Sequence, residues 1–206
     1  MRIIAGRFRR RKLDSNPGLT TRPITDRVKE SLFQLFGDEV KDRRVADVFA
    51  GTGTIGLEAL SRGACSVVFI EQDRRALDLL RKNIDRLGVA DETFCWSADV
   101  FRTSFRPKGV DRFLPYEVIF FDPPYRLVER LQEGKPLFRS LQRLARPQVT
   151  SDDALLFFRT PLRSRFEMPD VWQHQQTLDF SNMEIHTYRK VAGTSDASGD
   201  EEQSPD

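Results

Sequence analysis

Apolar and polar positions follow two alternating periods along this chain. Short apolar runs recur at Val45–Ala50, Ser66–Ile70, Thr93–Ser97, Val118–Phe121 and Ala154–Phe158. Runs of that length, bounded by turn residues, suit strands covered on both faces. Segments of helical spacing lie around them. Val28, Leu32, Leu35 and Phe36 stripe a helix that Thr25 or Asp26 caps and Gly37 stops. A second helix follows the first strand and runs to about Arg62. Leu77, Leu80, Ile84 and Leu87 stripe a third, capped by Asp73 and ended by Gly88. Leu127 to about Leu144 is helical with a break at Gly134-Lys135-Pro136, and residues 175–190 predict one or two closing strands, Met183 to Tyr188 the better case. Strands alternating with helices predict an α/β fold with a mostly parallel, doubly wound sheet.

The 206 residues, 39% of them hydrophobic, fit one domain of ordinary size. No apolar run approaches the roughly 18 residues of a membrane span, and Met1 is followed by arginines rather than an apolar signal core. A cytoplasmic location without membrane contact is expected. Cys65 and Cys95 have neither metal nor disulfide spacing and are expected as free buried thiols; no metal is expected. His174 and His186 have no partner pattern and read as structural or surface residues.

The net charge of +2 conceals an asymmetry. Residues 1–30 hold nine Lys/Arg and three Asp/Glu, and residues 193–206 hold five Asp/Glu and no Lys/Arg. The chain therefore divides into a basic arm and loop over 1–24, a nearly neutral body over 25–192 and an acidic tail over 193–206, whose composition predicts disorder. Arg7, Arg9, Arg10, Arg11 and Lys12, with Arg22 further on, are candidate contacts to a polyanion such as an RNA backbone. A solvated face is the other reading of such a run. Arg159, Arg163 and Arg165 are expected to extend the basic surface.

Two motifs carry chemistry. Gly51-Thr52-Gly53-Thr54-Ile55-Gly56 joins the first strand to a helix, with Glu71 ending the next strand twenty positions after Gly51. Glycines there allow a tight turn and close ligand approach, and the strand-end acid suits ribose hydroxyls. The register fits any adenosine-containing cofactor. Asp47 and Phe49, just before the glycines, lean away from a dinucleotide, because a pyrophosphate wants free backbone N–H groups and no carboxylate nearby. S-adenosylmethionine (SAM) has no phosphate, and its ammonium suits an anion such as Asp47. Asp99, past the third strand, either accepts from an adenine amino group or caps a turn.

The second motif is Asp122-Pro123-Pro124-Tyr125 at the end of the fourth strand. The two prolines end the strand and fix an acid, a bare carbonyl and an aromatic ring in one corner. A nucleobase amino group offers two N–H donors and a π-face, which Asp122, the Pro123 carbonyl and Tyr125 can match. The first and fourth strands are expected to be neighbours across the topological switch point, so that both motifs face one crevice.

The chain resembles the bacterial RsmD-type 16S ribosomal RNA (guanine-N2)-methyltransferases. The matching stretches are Arg2–Gly6, Arg9–Leu13, Arg22–Phe33, Asp47–Ala64, Ile70–Asp73 and Phe121–Tyr125. The resemblance implies a Rossmann-like class I SAM-dependent methyltransferase fold with a basic N-terminal arm, SAM as cofactor, and a guanine of 16S rRNA in the small ribosomal subunit as target. It implies that Gly51 and Gly53 line SAM, that Glu71 holds its ribose and Asp99 its adenine, and that Asp47, Phe49, Gln72 and Val100 complete the cofactor set. Asp122, Pro123, Pro124 and Tyr125 hold the guanine by the same implication. A monomer is expected. Such proteins often carry an acidic residue after the fifth strand, where this chain has Arg159. Two alternatives stay open: an adenine-N6 DNA or RNA methyltransferase, and a non-catalytic RNA-binding protein that kept the fold.

Overall fold

A computed structural model of the chain describes residues 1–15 and 24–192. Residues 16–23 of the expected N-terminal loop, Arg22 among them, and the acidic tail lie outside the described residues.

Seven strands form one sheet: β1 (Arg44–Val48), β2 (Ser66–Glu71), β3 (Thr93–Ser97), β4 (Tyr116–Phe121), β5 (Thr150–Thr160), β6 (Trp172–Phe180) and β7 (Met183–Lys190). Their order is β3-β2-β1-β4-β5-β7-β6. The first five run parallel, and β7 and β6 close the sheet antiparallel. β1 and β4 are neighbours, with Val48 opposite Phe121. The chain order reverses direction at that pair, which opens a crevice beyond the carboxyl ends of the strands. Both closing strands form, and β5 extends past its apolar run at both ends: Thr150 pairs with Tyr116 of β4, and Arg159 and Thr160 pair with Ile185 and Glu184 of β7. β6 presents Gln173, His174, Gln175, Gln176 and Thr177 to solvent and bulges between His174 and Gln176.

Helices cover both faces. α1 (Asp26–Val40), α2 (Thr54–Ser61) and α3 (Arg74–Leu87) close one core against Val45, Val67, Phe69, Val118 and Phe120. The short α4 (Tyr125–Val128) and α5 (Pro136–Leu144) close the other against Val48, Ile70, Ile119, Phe121 and Phe158. Alternate residues of one strand enter opposite cores, which is why these strands are apolar throughout. Thr25 caps α1, accepting from the Val28 N–H, and Asp73 caps α3, accepting from the Ala76 N–H. Gly88 ends α3 in the left-handed conformation.

Three expectations change. α1 does not stop at Gly37; it kinks at Phe36 (φ −124°, ψ 16°) and continues to Val40. Its inward face is Val28, Lys29, Leu32 and Phe33, and Leu35 is 63% exposed. Lys29 sets that phase, because its fully buried ammonium sits 3.6 Å from the fully buried Glu58 carboxylate. Cys65 is exposed and Cys95 half-buried, since Cys65 precedes β2 rather than lying within it. His186, read as a structural or surface residue, is a structural one: it is buried, with its ring nitrogens 3.1 Å from the Thr160 hydroxyl and 2.9 Å from that of Thr177.

The N-terminal segment is a folded hairpin. Arg2 and Lys12 form an antiparallel bridge, and Ile3 and Leu13 are buried in the α1–α3 core. Glu58, on α2, accepts from the N–H groups of Ile4 (2.7 Å) and Ala5 (3.1 Å) and from Arg62 Nε (2.8 Å). Lys29 Nζ donates to the Arg2 carbonyl at 2.7 Å. Ser61 binds the same turn twice, donating to the Ala5 carbonyl and accepting from the Phe8 N–H. Gly6 holds a positive φ of 79° and lies so close to the Ser61 carbonyl that an added Cβ would stand 1.8 Å from its oxygen. Only glycine satisfies both constraints.

Candidate active site

β1 delivers its chain to the crevice through a strained turn. Phe49 has a φ of +64°, and the Phe49 and Ala50 N–H groups both donate to the Ile70 carbonyl on β2. The glycine turn then forms, with Gly51 and Gly53 at positive φ. Its amides are already committed. Gly51 N–H donates to Glu71 Oε2 at 2.8 Å, Gly53 N–H to the Ala50 carbonyl, and Gly56 N–H to Asp47 Oδ2 at 2.9 Å. A pyrophosphate would need those amides, and two of them meet carboxylates instead. The turn therefore suits a ligand without phosphate, as SAM is. A Cβ built on Gly51 meets nothing within 4 Å, whereas one on Gly53 or Gly56 would collide with Leu80 or Phe69. Gly51 faces open space; the other two glycines permit close packing of α2 on the sheet.

Glu71 closes the far side. Its Oε1 accepts from the Gln72 and Asp73 N–H groups and its Oε2 from Gly51. A carboxylate has about four acceptor positions, so one remains for a hydroxyl. Asp99, after β3, accepts from the Phe101 N–H through Oδ1, and its carbonyl receives Arg102 and Thr103. It caps a turn and keeps its second carboxylate oxygen for a ligand. Phe49, Gly51, Glu71, Gln72 and Asp99 are all at least partly accessible at the ends of β1, β2 and β3. Asp47 and Val100 stand apart, because both are buried. Burial pushes the Asp47 carboxyl up to about 8, the Gly56 N–H opposes this, and Asp122 and Glu71 add to it. The structure turns Asp47 toward the underside of the glycine turn.

α3 ties this turn to the N-terminal hairpin. The buried Asn83 amide donates to the carbonyls of Thr52 (3.2 Å) and Asp14 (3.1 Å) and accepts from the Asp14 N–H (2.8 Å).

The second motif sits across the crevice. The Asp122 N–H donates to the Val48 carbonyl on β1, and the Phe49 ring meets Phe121 edge-on at 5.4 Å. Pro123 and Pro124 turn the chain into α4, whose first residue is Tyr125. Asp122 has a partner that was not among the expected site residues. Arg159, expected on the surface, lies in β5 and is 5% exposed. Its Nε donates to Asp122 Oδ1 at 2.5 Å, and its guanidinium carbon stands 5.8 Å from the centre of the Tyr125 ring. Burial pushes the Asp122 carboxyl up and the Arg159 cation pulls it back, leaving a net upward shift. One signal pointed to the pair: an arginine directly after the apolar run of β5, if buried with it, needs an anion.

The basic residues divide. Arg7 pairs with Glu92 and stacks on Phe8. Arg9, Arg10, Arg11 and Lys12 are exposed at the hairpin tip and its return strand, with no carboxylate in ion-pair reach among the described residues.

A family profile described as Conserved hypothetical protein 95 matches residues 1–189. The chain belongs to that family. Its members include the RsmD-type proteins that the sequence resembles. Ribosomal RNA small subunit methyltransferase D of Haemophilus influenzae is 32% identical over 177 residues, 84% of each chain. The protein of the same name from Escherichia coli K12 is 39% identical over 128 residues, but the match spans only 61% of that relative's length. Among solved structures, the putative methyltransferase yhhF from Escherichia coli is 30% identical, with a TM-score of 0.76 over 94% of this chain and 99% of that one. This family member has the class I SAM-dependent methyltransferase fold, as its strand order and that likeness establish.

Proposed function

We propose that this family member transfers the methyl group of SAM to the exocyclic N2 of a guanine in 16S rRNA, acting as a monomer in the cytoplasm on the assembled or assembling small subunit. Family membership and the names of the relatives support ribosomal RNA as substrate, and the class I SAM-dependent methyltransferase fold supports SAM as cofactor. The observation that carries the site is the pairing of β1 with β4. It brings a turn suited to a phosphate-free adenosine cofactor against an acid–carbonyl–aromatic corner suited to an amino-bearing base.

The residues divide the work. Phe49, Gly51, Glu71, Gln72 and Asp99 hold the cofactor, Glu71 by its ribose and Asp99 by its adenine. SAM, when bound, supplies a methyl on a positively charged sulfur, which is electrophilic without further activation. Guanine N2 is a poor nucleophile because its lone pair is delocalised into the ring. Asp122 and the Pro123 carbonyl accept hydrogen bonds from the amino group, orient it and offset the positive charge that develops on nitrogen. Tyr125 replaces the stacking that the base loses on leaving its helix.

The deciding experiment follows labelled methyl from SAM into small subunits lacking this modification, with naked rRNA and duplex DNA alongside. Label at guanine N2 in the RNA is expected. Label only on adenine in DNA would favour the adenine-N6 alternative. No label, with SAM still bound, would favour the non-catalytic one.

The exposed cations of the hairpin, with Arg7 and Arg22, are proposed to contact RNA phosphates. Deleting residues 1–12 is a poor test, because Ile3 is a core residue. Replacing Arg9, Arg10, Arg11 and Lys12 with serine spares the core. If each cation meets one phosphate of single-stranded RNA, the slope of log affinity against log salt should flatten by about 3. An unchanged slope in filter binding would remove the hairpin tip from the interface.

A further inference from the structure

Arg159 has no part in holding the base or the cofactor as assigned so far, yet its buried cation pairs directly with Asp122. Its Nε–Oδ1 contact with Asp122 is 2.5 Å long, and it flanks the Tyr125 ring on which the base would stack. Structural economy does not account for it. A buried arginine inside an apolar strand is costly to fold, and a hydrophobic residue of similar volume would serve packing as well or better.

The edge of the target base supplies a reason. The Watson–Crick edge of guanine presents two adjacent donors, N1–H and an N2–H. The adenine edge presents a donor at N6 beside an acceptor at N1. An ionised carboxylate only accepts and so fits the first edge; a protonated carboxyl both donates and accepts and fits the second. The ionisation state of Asp122 therefore selects the base.

We propose that Arg159 is a specificity-positioning residue, whose guanidinium fixes Asp122 as an acceptor-only group so that the corner takes a base edge carrying two neighbouring donors. Arg159 takes Oδ1, and a carboxylate retains acceptor positions enough for the base. Among the described residues, the charged groups that act on Asp122 are Arg159 from β5 and Asp47 from β1, with Glu71 of β2 acting on Asp47 in turn and the Tyr125 ring of α4 lying against Arg159. Arg159 is the one cation among them, so it opposes both burial and the neighbouring acids. The inference rests on the guanine-N2 reading above.

The test compares wild type, R159M and R159K as full-length proteins, each with SAM and unmodified small subunits, across the mildly acidic to mildly basic range. Transfer to guanine needs ionised Asp122, so the rate falls as pH drops through the carboxyl's pKa. Losing the cation raises that pKa, so the acid limb of R159M should move to higher pH by about 1–3 units. R159K keeps the charge and should return the limb toward the wild-type position. The adenine-to-guanine ratio of R159M on short RNAs should also rise as the pH is lowered. Thermal melting serves as a control, because a residue needed only for folding would lower the rate at every pH without moving the limb. If R159M does not fold, R159Q removes the charge while keeping a donor, and the same shift is expected. An unmoved limb and unaltered base ratio in the neutral variant, with wild type active on guanine, would overturn this inference alone. Wild type that methylates no guanine would overturn the guanine-N2 reading and this one with it.

Discussion

Replacing Asp122 with alanine should reduce methyl transfer by at least about 10²–10³-fold, the loss typical of removing one preorganised group that meets developing charge. SAM affinity should stay near wild type, because Asp122 lies across the crevice from Glu71 and the glycine turn and bonds to neither. The variant carries a side effect that the ion pair predicts. It strands the Arg159 guanidinium in β5, and leaving one partner of a buried pair uncompensated costs about 3–5 kcal/mol. D122A should therefore melt earlier as well as turn over more slowly. Combining it with R159M removes the orphaned cation, so the double variant should recover stability while staying inactive. Calorimetric SAM titration, melting and labelled-methyl transfer on the three proteins separate folding from chemistry. A D122A enzyme with undiminished turnover would sink the assignment of this corner to the base.

The other large effect lies far from the crevice. Glu58 is fully buried and accepts from two backbone amides of the hairpin and from Arg62, while Lys29 stands 3.6 Å away. Glu58→Ala would leave the Lys29 ammonium buried beside no carboxylate but the half-exposed Asp26 at 3.9 Å. Burial already lowers the Lys29 pKa, with Glu58 the largest opposing influence, so the variant should lower it further. The loss should be about 3–5 kcal/mol, which for a domain of this size is roughly 6–20 °C in melting temperature. The hairpin should also detach, with the amides of Ile4 and Ala5 losing protection from hydrogen exchange. Glu58→Gln keeps the acceptor and should fall between. An unchanged melting temperature in E58A would mean that this cluster contributes nothing to stability.

Both predictions turn on charged residues whose partners are distant in sequence, and this sets the limit of what the chain alone discloses. The parallel strands were legible because each needed apolar residues on both faces. The helix stop at Gly88 and the break ahead of Pro136, where α5 begins, were legible because those residues act locally. Arg159 finds Asp122 thirty-seven positions away, and Lys29 finds Glu58 twenty-nine away. No local period reports such a contact. Lys29 misled the phase of α1, since a lysine on a helix ordinarily marks the wet side, and Leu35 was placed inward in its stead. The recoverable signal was an ionisable residue within or directly after an apolar run, as in Val45-Ala46-Asp47-Val48 and Leu155-Leu156-Phe157-Phe158-Arg159. Each such residue is buried and bonded in the structure. The basic hairpin was legible as charge and not as fold, because its anchors, Ser61 and Glu58, belong to α2.

One of the two edge strands, β6, has a consequence for the protein at high concentration. β6 has no strand partner on its outer side among the described residues. An unpaired edge is a template on which another chain can add a strand and begin a fibril. Here the template is spoiled twice. Its exposed side chains from Gln173 to Thr177 offer no greasy zipper, and the kink between His174 and Gln176 breaks the even spacing of N–H and C=O groups that an incoming strand must match. At this edge the sheet is therefore hard to extend with a copy of the chain.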